Sequence, residues 1–373
     1  MRARLVIIGS GTTGLCLAYE AARRTDPLSS PVLLLAGPEV TSPRLELCRH
    51  DLENAELALE ARQGLRFWSG MRSQTGRDPG WNPCGAVVEV GADVELSAWA
   101  RLNELGAELR RDGDKVFDDD AGTLDVVRAR VCIEALAREV GAIVRAGERA
   151  CAVRSIPGEP HVIETTAGEV LAEAVVIAGA GGRTLIPGGD PPLTAQTWRE
   201  SSFGGEEEPD AAQTWEADEP MVLEFLPTGE LDASAVQEAF EERFGPRDSG
   251  APGPRARVQG ELVAAPERGG RLWVGGPGEL KGDVGALAVR ALGEAERGEV
   301  RERTLWEGAD GAPIIGQAPG LNGVWLACGF GAKASLLAPA CAEALSSKIL
   351  EGGGSWFSQE RFHPTRSTLS WRG

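Results

Sequence analysis

The chain has 373 residues, 42% hydrophobic and 25% charged, a globular profile long enough for two domains. The balance of 38 Lys and Arg against 56 Asp and Glu leaves a net charge of −18, which disfavours a nucleic-acid backbone as partner. No stretch is long and apolar enough to span a bilayer, and a first strand at residue 3 leaves no room for a secretory signal, so the expected compartment is the cytoplasm.

Residues 3–8, Ala-Arg-Leu-Val-Ile-Ile, form a short apolar run, and Gly9-Ser10-Gly11-Thr12-Thr13-Gly14 follows at once. Residues 15–24 then contain neither Gly nor Pro and are rich in helix formers. Strand, glycine turn and helix in this order read as a dinucleotide-binding unit. Gly9 would make the tight turn, Gly11 would let a pyrophosphate approach the backbone, and Gly14 would let helix and strand pack closely. The N–H groups at the helix start would face the phosphates. Residues 32–35 are a second buried strand, whose end should carry an acidic residue for the ribose hydroxyls. Ala36 stands there instead. Glu39, beyond a Gly-Pro turn, is left either to meet the ribose or to be a solvated turn charge.

Residues 51–71 read as helix, with Leu52, Ala55 and Leu59 on one face. Residues 76–85, dense in Gly and Pro, mark a crossing into a second layer. A strand at 86–90, an amphipathic helix at 94–109 and a short strand at 115–117 follow. The acidic turn Asp118-Asp119-Asp120-Ala121-Gly122 has two readings, a metal site or a solvated turn, and the solvated turn is preferred because no fourth ligand or loop pattern accompanies it. His50, His161 and His363 match no metal spacing, nothing marks a Ser-His-Asp triad, and no metal is expected. Residues 125–140 are helical, 142–145 a strand, and 161–165 and 169–177 flank the hairpin turn Thr166-Ala167-Gly168. Residues 175–178 run into Gly179-Ala180-Gly181-Gly182, a second strand ending in glycines. Residues 206–220 read as an exposed acidic loop, 221–226, 258–264, 271–274 and 301–306 as strands, and 233–244 and 283–297 as helices. A buried strand at 324–327 enters Cys328-Gly329-Phe330-Gly331-Ala332-Lys333-Ala334, and a helix runs on to about residue 350. The seven cysteines are odd in number and form no C-x-x-C; most sit within apolar runs, which reads as buried free thiols of a reducing compartment.

Several further stretches carry a likeness. Residues 85–90 resemble a strand beginning "tG-x-l", and Gly122-Thr123-Leu124-Asp125 resembles "g-x-l-D" before a helix. Gly141-Ala142-x-Val144 resembles "Ga-x-v", and residues 175–185 resemble "VV-x-A-x-G-a-W". Asp310-Gly311-Ala312-Pro313-Ile314-Ile315-Gly316 resembles "D-g-x-P-i-i-G", and residues 329–339 resemble "G-H-x-x-x-G-x-x-l-a-P". Together with the opening βαβ unit, their order and spacing resemble the FAD-dependent D-amino-acid oxidase superfamily, which includes glycine oxidase and sarcosine oxidase.

The resemblance implies an α/β fold in which a Rossmann-like FAD-binding domain (1–80, 122–200 and 305–373) is interleaved with a mixed β-sheet substrate domain (81–121 and 201–304). It implies non-covalent FAD, contacted by Gly9, Ser10, Gly11, Thr12, Thr13, Gly14, Glu39, Arg44, Ala150, Gly179, Ala180, Gly181, Gly329, Phe330, Gly331, Ala332, Lys333 and Ala334. Lys333 and Arg44 would be the catalytic residues, one adding positive charge at the flavin edge, the other contacting flavin or substrate; each also reads as an ordinary surface charge. The start of the closing helix would stabilise negative charge on the reduced ring. The implied reaction oxidises a C–N bond of a small amine or amino acid by hydride transfer to flavin N5. O2 or another acceptor takes the electrons, without nucleic acid or membrane span, and a partner subunit is left open.

The chain also departs from the family. Trp306-Glu307-Gly308-Ala309-Asp310 runs through without the Arg-Pro that often precedes the aspartate, Phe330 replaces a His, and Ala180 and Ala334 replace glycines. The sole tyrosine, Tyr19, lies in the first helix, so no tyrosine clamps the substrate. Gly329-x-Gly331-x-Lys333-Ala334-x-x-x-x-Pro339 also resembles the oxidase module of the bifunctional tRNA-modifying enzyme, although the acidic balance argues against tRNA here. Two alternatives stand: a non-catalytic, flavin-less relative serving as subunit or binding protein, and a flavin enzyme acting on a hydroxy acid or a modified-nucleoside secondary amine.

Overall fold

The first strand is buried on both of its faces, and the architecture follows from that. In the computed structural model the described residues are 1–37, 44–52, 57–90, 98–107, 109–156, 158–179, 185, 191–203, 256–259, 262–267, 271–277, 301–353 and 361–369. They begin with β1 (Arg2–Ile8), α1 (Thr12–Ala22), β2 (Val32–Ala36), β3 (Leu45–Cys48), α2 (Ala58–Thr75), β4 (Trp81–Asn82), β5 (Ala86–Glu89) and α3 (Trp99–Glu104). Next come β6 (Leu109–Asp112), β7 (Lys115–Asp118), β8 (Gly122–Asp125), α4 (Val126–Glu139), β9 (Ile143–Ala146), β10 (Ala150–Arg154), β11 (His161–Thr165) and β12 (Gly168–Ala178). The remainder are β13 (Leu193–Phe203), β14 (Ala256–Gln259), β15 (Leu262–Glu267), β16 (Arg271–Pro277), β17 (Arg301–Gly308), β18 (Ile314–Gln317), β19 (Val324–Cys328) and α5 (Ala334–Glu351).

Five strands, β9, β2, β1, β12 and β19, lie side by side and parallel. Leu5 and Ile7 point into a core shared with α1, α2, α4 and α5, whereas Val6 and Ile8 point into a second core with Ile163, Val175 and Ile314. Burial on both faces is why β1 and β2 read as unbroken apolar runs. The eleven-residue β12 serves two neighbours on one edge. Its first half pairs antiparallel with β11 (His161↔Ala172), and its second half pairs parallel with β19 (Val175↔Val324). A second, mixed sheet has the order β17-β13-β16-β15-β14-β5-β7-β6, and a small one, β3-β8-β4, completes the set. This is the expected α/β class, a Rossmann-like sheet accompanied by a mixed β-sheet.

Helix packing is close where the sequence allows it. A Cβ on Gly64 of α2 would stand 1.8 Å from the Leu336 carbonyl oxygen of α5. Beside it the buried Trp68 indole donates to the Ser335 carbonyl at 2.8 Å. Asp125 caps α4 by accepting the Arg128 N–H at 3.0 Å.

Several expectations are corrected. The described part of the helix placed at 94–109 is only α3; Gly106, at φ +71°, turns the chain, and Leu109 already belongs to β6. The strand placed at 258–264 is two strands, β14 and β15, paired antiparallel through Arg257↔Ala264. The helix placed at 51–71 is described as α2, which runs on to Thr75 and stops at Gly76 with φ +71°. Asp118 is not solvated: it is fully buried. The features placed at 206–220, 221–226, 233–244 and 283–297 lie outside the described residues.

Residues 361–369 close over β17 and β18 through Arg366, which is 5% exposed. Its guanidinium donates to both Asp310 oxygens at 2.6 Å and to the Ala312 and Pro313 carbonyls at 2.9 and 3.0 Å. Burial works to raise the Asp310 pKa, but the bonds from Arg366 and Thr368 win and hold it well below the usual carboxylate range. A depressed carboxyl adds stability that is present above its unfolded pKa and lost as pH falls through the folded one. Arg366→Met should lower stability at neutral pH by about 3 kcal/mol, the cost of breaking a buried pair. Urea midpoints should show the gap between parent and variant narrowing in acid.

Candidate active site

Three neighbouring parallel strands, β1, β12 and β19, each end in a glycine with positive φ: Gly9 (+114°), Gly179 (+82°) and Gly329 (+74°). Ligands of open α/β sheets bind at such carboxyl ends. Gly9 and Gly14 are there for packing. A Cβ on Gly9 would lie 2.1 Å from the Ala178 carbonyl oxygen, and one on Gly14 would lie 1.8 Å from that of Gly9. Gly11 is different. It sits at φ −65°, ψ 174°, open to any residue, and a Cβ there would meet nothing within 4 Å. Gly11 is also the N-cap of α1, which has no side-chain cap and no acidic residue in its first turn. The first N–H groups of a helix have no intrahelical acceptor, and beside them the Cβ position of Gly11 meets none of the described residues within 4 Å. That is a cradle for an anionic diphosphate, and it fits the pyrophosphate of FAD.

Ser10, Thr12 and Thr13 are buried around this turn. The half-buried Arg130 of α4 adds what the sequence reading missed: its Nε donates to the Ser10 carbonyl at 3.1 Å, bringing a guanidinium to the turn. Burial lowers the Arg130 pKa, yet arginine stays protonated. At the end of β2, where the motif calls for an acidic residue, the Ala36 carbonyl accepts the Gly147 N–H at 2.8 Å. Ala150 opens β10, buried in one cluster with Ile8, Leu35 and Ile177. Gly179 donates its N–H to Ala327 at 2.8 Å. Glu39, Ala180 and Gly181 lie outside the described residues.

The closing turn is built against β17. The Gly329 carbonyl accepts the Gly308 N–H at 3.2 Å, and buried Phe330 bridges to Glu307. Gly331, at φ +55°, has the Glu307 side chain where a Cβ would be, 2.1 Å from Oε1. Gly331, Ala332 and Lys333 form a single 3-10 turn before Ala334 starts α5. Lys333 is neither an isolated charge nor a plain surface lysine. Its Nζ donates to Asp51 Oδ2 at 2.6 Å, with the lysine side chain 51% exposed and the aspartate 6%.

Part of the start of α5 is taken by a side chain of the protein itself. Glu46 Oε1 accepts the Ser335 N–H at 2.9 Å and the Leu336 N–H at 3.3 Å. Glu46 reaches it from the middle of β3, 4% exposed. Burial pushes its carboxyl up to about 7, against the partial pull of the Ser335 and Leu336 donors. Two donors of this helix start, which the resemblance sets against the reduced flavin, are thus taken by the Glu46 carboxyl. The Ser335 hydroxyl lies 3.4 Å from that of Thr12, so the first turns of α1 and α5 meet.

Arg44, just before β3, donates its backbone N–H to the Glu200 carboxylate at 3.1 and 3.0 Å. Glu200, on β13 and 2% exposed, also accepts Trp273 Nε1 at 3.2 Å and Arg303 Nε at 3.1 Å. The strand β3 thus runs from an anchor on the mixed sheet at Arg44 toward Asp51 under Lys333. Neither Glu200 nor Arg303 stood out in the sequence.

The family model described as DAO, FAD dependent oxidoreductase, matches residues 4–348. Among solved structures, the glycine oxidase from Geobacillus kaustophilus superposes with a TM-score of 0.70 at 17% identity, covering 98% of this chain and 99% of that one. The L-proline dehydrogenase from P. horikoshii gives 0.72 at 16%, covering 98% and 97%. The L-amino acid deaminase from Proteus vulgaris gives 0.72 at 13%, also covering 98% and 97%. At these identities the likeness is one of fold. No curated protein sequence matches the chain significantly. No helix among the described residues is long and apolar enough to cross a membrane. The match over nearly all of the sequence and the open cradle above Gly11 agree: the chain belongs to the FAD-dependent oxidoreductase family, and its cofactor is FAD.

Proposed function

We propose that the protein oxidises the C–N bond of a small amine or amino acid, with FAD held non-covalently. The observation that carries the reading is the cradle at Gly11: one glycine of the turn faces open space while its two neighbours are packed. When bound, the flavin supplies the hydride acceptor at N5. The start of α1, with Arg130 beside it, holds the pyrophosphate. The division into an FAD domain (1–80, 122–200, 305–373) and a substrate domain (81–121, 201–304) is part of the proposal, the mixed sheet excluding water and aligning the donor carbon. No side-chain base is needed when the amine binds neutral, and water hydrolyses the imine product. Cys328 supports non-covalent binding: burial pushes its thiol up to about 12, so it carries no thiolate to attack a flavin.

Ala36, which leaves the ribose without a carboxylate at the end of β2, favours the competing reading of a flavin-less relative. Both are separated by denaturing the purified protein and identifying what is released. FAD in the supernatant, a colourless acid precipitate, and bands bleached anaerobically by an amine or amino acid support the proposal. A protein that takes up no FAD overturns it, and bleaching by a hydroxy acid alone redirects it. Peroxide release against reduction of an added dye assigns the electron acceptor.

Lys333 and Arg44 remain our proposed catalytic residues. Lys333→Met should keep the flavin and slow reduction or reoxidation at least tenfold, a barrier change of about 1.4 kcal/mol. Stopped-flow traces matching the parent in both half-reactions would remove Lys333 from the site.

A further inference from the structure

His50 follows β3 and is fully buried, and Asp118 ends β7 and is fully buried too. The Asp118 carboxylate accepts the His50 backbone N–H at 2.7 Å and lies 3.0 Å from Nδ1. An ionised carboxylate only accepts hydrogen bonds, so Nδ1 is the ring nitrogen turned to Asp118 and Nε2 is the one left to bind a metal ion. Nε2 is shielded from solvent and has no hydrogen-bond partner among the described residues. It faces Asp120 Oδ2 at 3.8 Å, beyond hydrogen-bond reach. A metal ion between Nε2 and Asp120 Oδ2 would give both atoms a partner. Two donor atoms at this separation are spanned by metal bonds of about 2.0–2.2 Å. A carboxylate behind the far ring nitrogen is the arrangement that fixes a ligating histidine's tautomer.

We propose that His50 Nε2 and Asp120 bind a divalent first-row transition ion of the zinc type, with Asp118 orienting the imidazole. The ligand atoms offered by the three residues lie within 4.8 Å of one another. Imidazole and carboxylate without thiolate suit Zn2+, Co2+ and Ni2+ better than Ca2+ or Mg2+. The Asp120 side chain is 40% exposed, so the carboxylate end of the pair is the end open to solvent. The ion would clamp the end of β3 to the mixed sheet, one residue before Asp51. It is a structural site, independent of the proposed substrate.

The test uses tag-free, flavin-loaded full chain, stripped with chelator and titrated with Co2+. The expected result is one Co2+ per chain with visible d–d absorption, displaced by Zn2+, and a melting temperature that rises with either ion. Asp120→Asn, at the partly exposed position, should fold normally and weaken binding at least tenfold. His50→Gln, checked for folding by its flavin content, should abolish binding. No saturable binding up to millimolar Co2+, as expected if a proton on Nε2 is the bridging cation, overturns the site. Unchanged affinity in Asp120→Asn does so as well, by placing the ion elsewhere on the acidic surface, and that variant alone decides if His50→Gln does not fold.

Discussion

Gly11→Val should give a folded protein without flavin. The backbone at Gly11 has φ −65°, which valine adopts, and its Cβ would meet none of the described residues within 4 Å. The fold therefore loses little. The pyrophosphate, in contrast, meets a side chain where it needs backbone N–H groups. The expected reading is parent-like far-ultraviolet circular dichroism with flavin absorbance per chain near zero. Gly14→Ala makes the control, since its methyl would stand 1.8 Å from the Gly9 carbonyl and must displace α1 from β1. That variant should lose stability and flavin together. A Gly11→Val protein with full flavin content would end the assignment of this turn to the cofactor.

Glu46→Gln should make the protein less sensitive to pH between about 5 and 8. The folded state raises the Glu46 carboxyl from an ordinary 4.5 to about 7, through burial. Across that window the folded chain keeps a proton that the unfolded chain has released. Stability is then fully present below the unfolded pKa and declines as pH rises through the folded one. A shift of this size corresponds to on the order of 3 kcal/mol. Glutamine keeps an oxygen for the Ser335 and Leu336 N–H groups but cannot ionise. Denaturant midpoints of parent and variant should coincide near pH 5 and separate by pH 8, with glutamine the more stable. A gap that does not change with pH would show that Glu46 does not titrate in this range.

The legible part of the site was the part written locally. β1, Gly9 to Gly14 and α1 are contiguous, and the strand-to-glycine junctions at Ala178-Gly179 and Cys328-Gly329 each announce themselves within a few residues. What stayed hidden was carried by pairs far apart in the chain. Glu46 meets Ser335 across 289 residues, Glu200 meets Arg303 across 103, and His50 meets Asp118 across 68. Each involves a polar residue that looks solvated on its own, and only tertiary burial gives it a partner. β3 is four residues with a glutamate inside, too short and polar for a periodicity to register. The stretch 94–109 failed for the opposite reason: its apolar spacing is helical, but Gly106 breaks the chain before Leu109.

The two-neighbour edge of β12 has a consequence for how the protein comes to be folded. β1 and β2 are made first, yet the strand that completes the upper half of the β12 edge comes from residues 324–328, and it brings the closing turn with it. During synthesis the second half of β12 emerges with that edge unpaired for well over a hundred residues, an apolar strand edge of the kind that pairs with other chains. Contacts of such sequence separation also make folding slow. The glycine turns that end β1 and β19 can meet only after the edge is filled, so a growing chain depends on protection of that edge until β19 arrives.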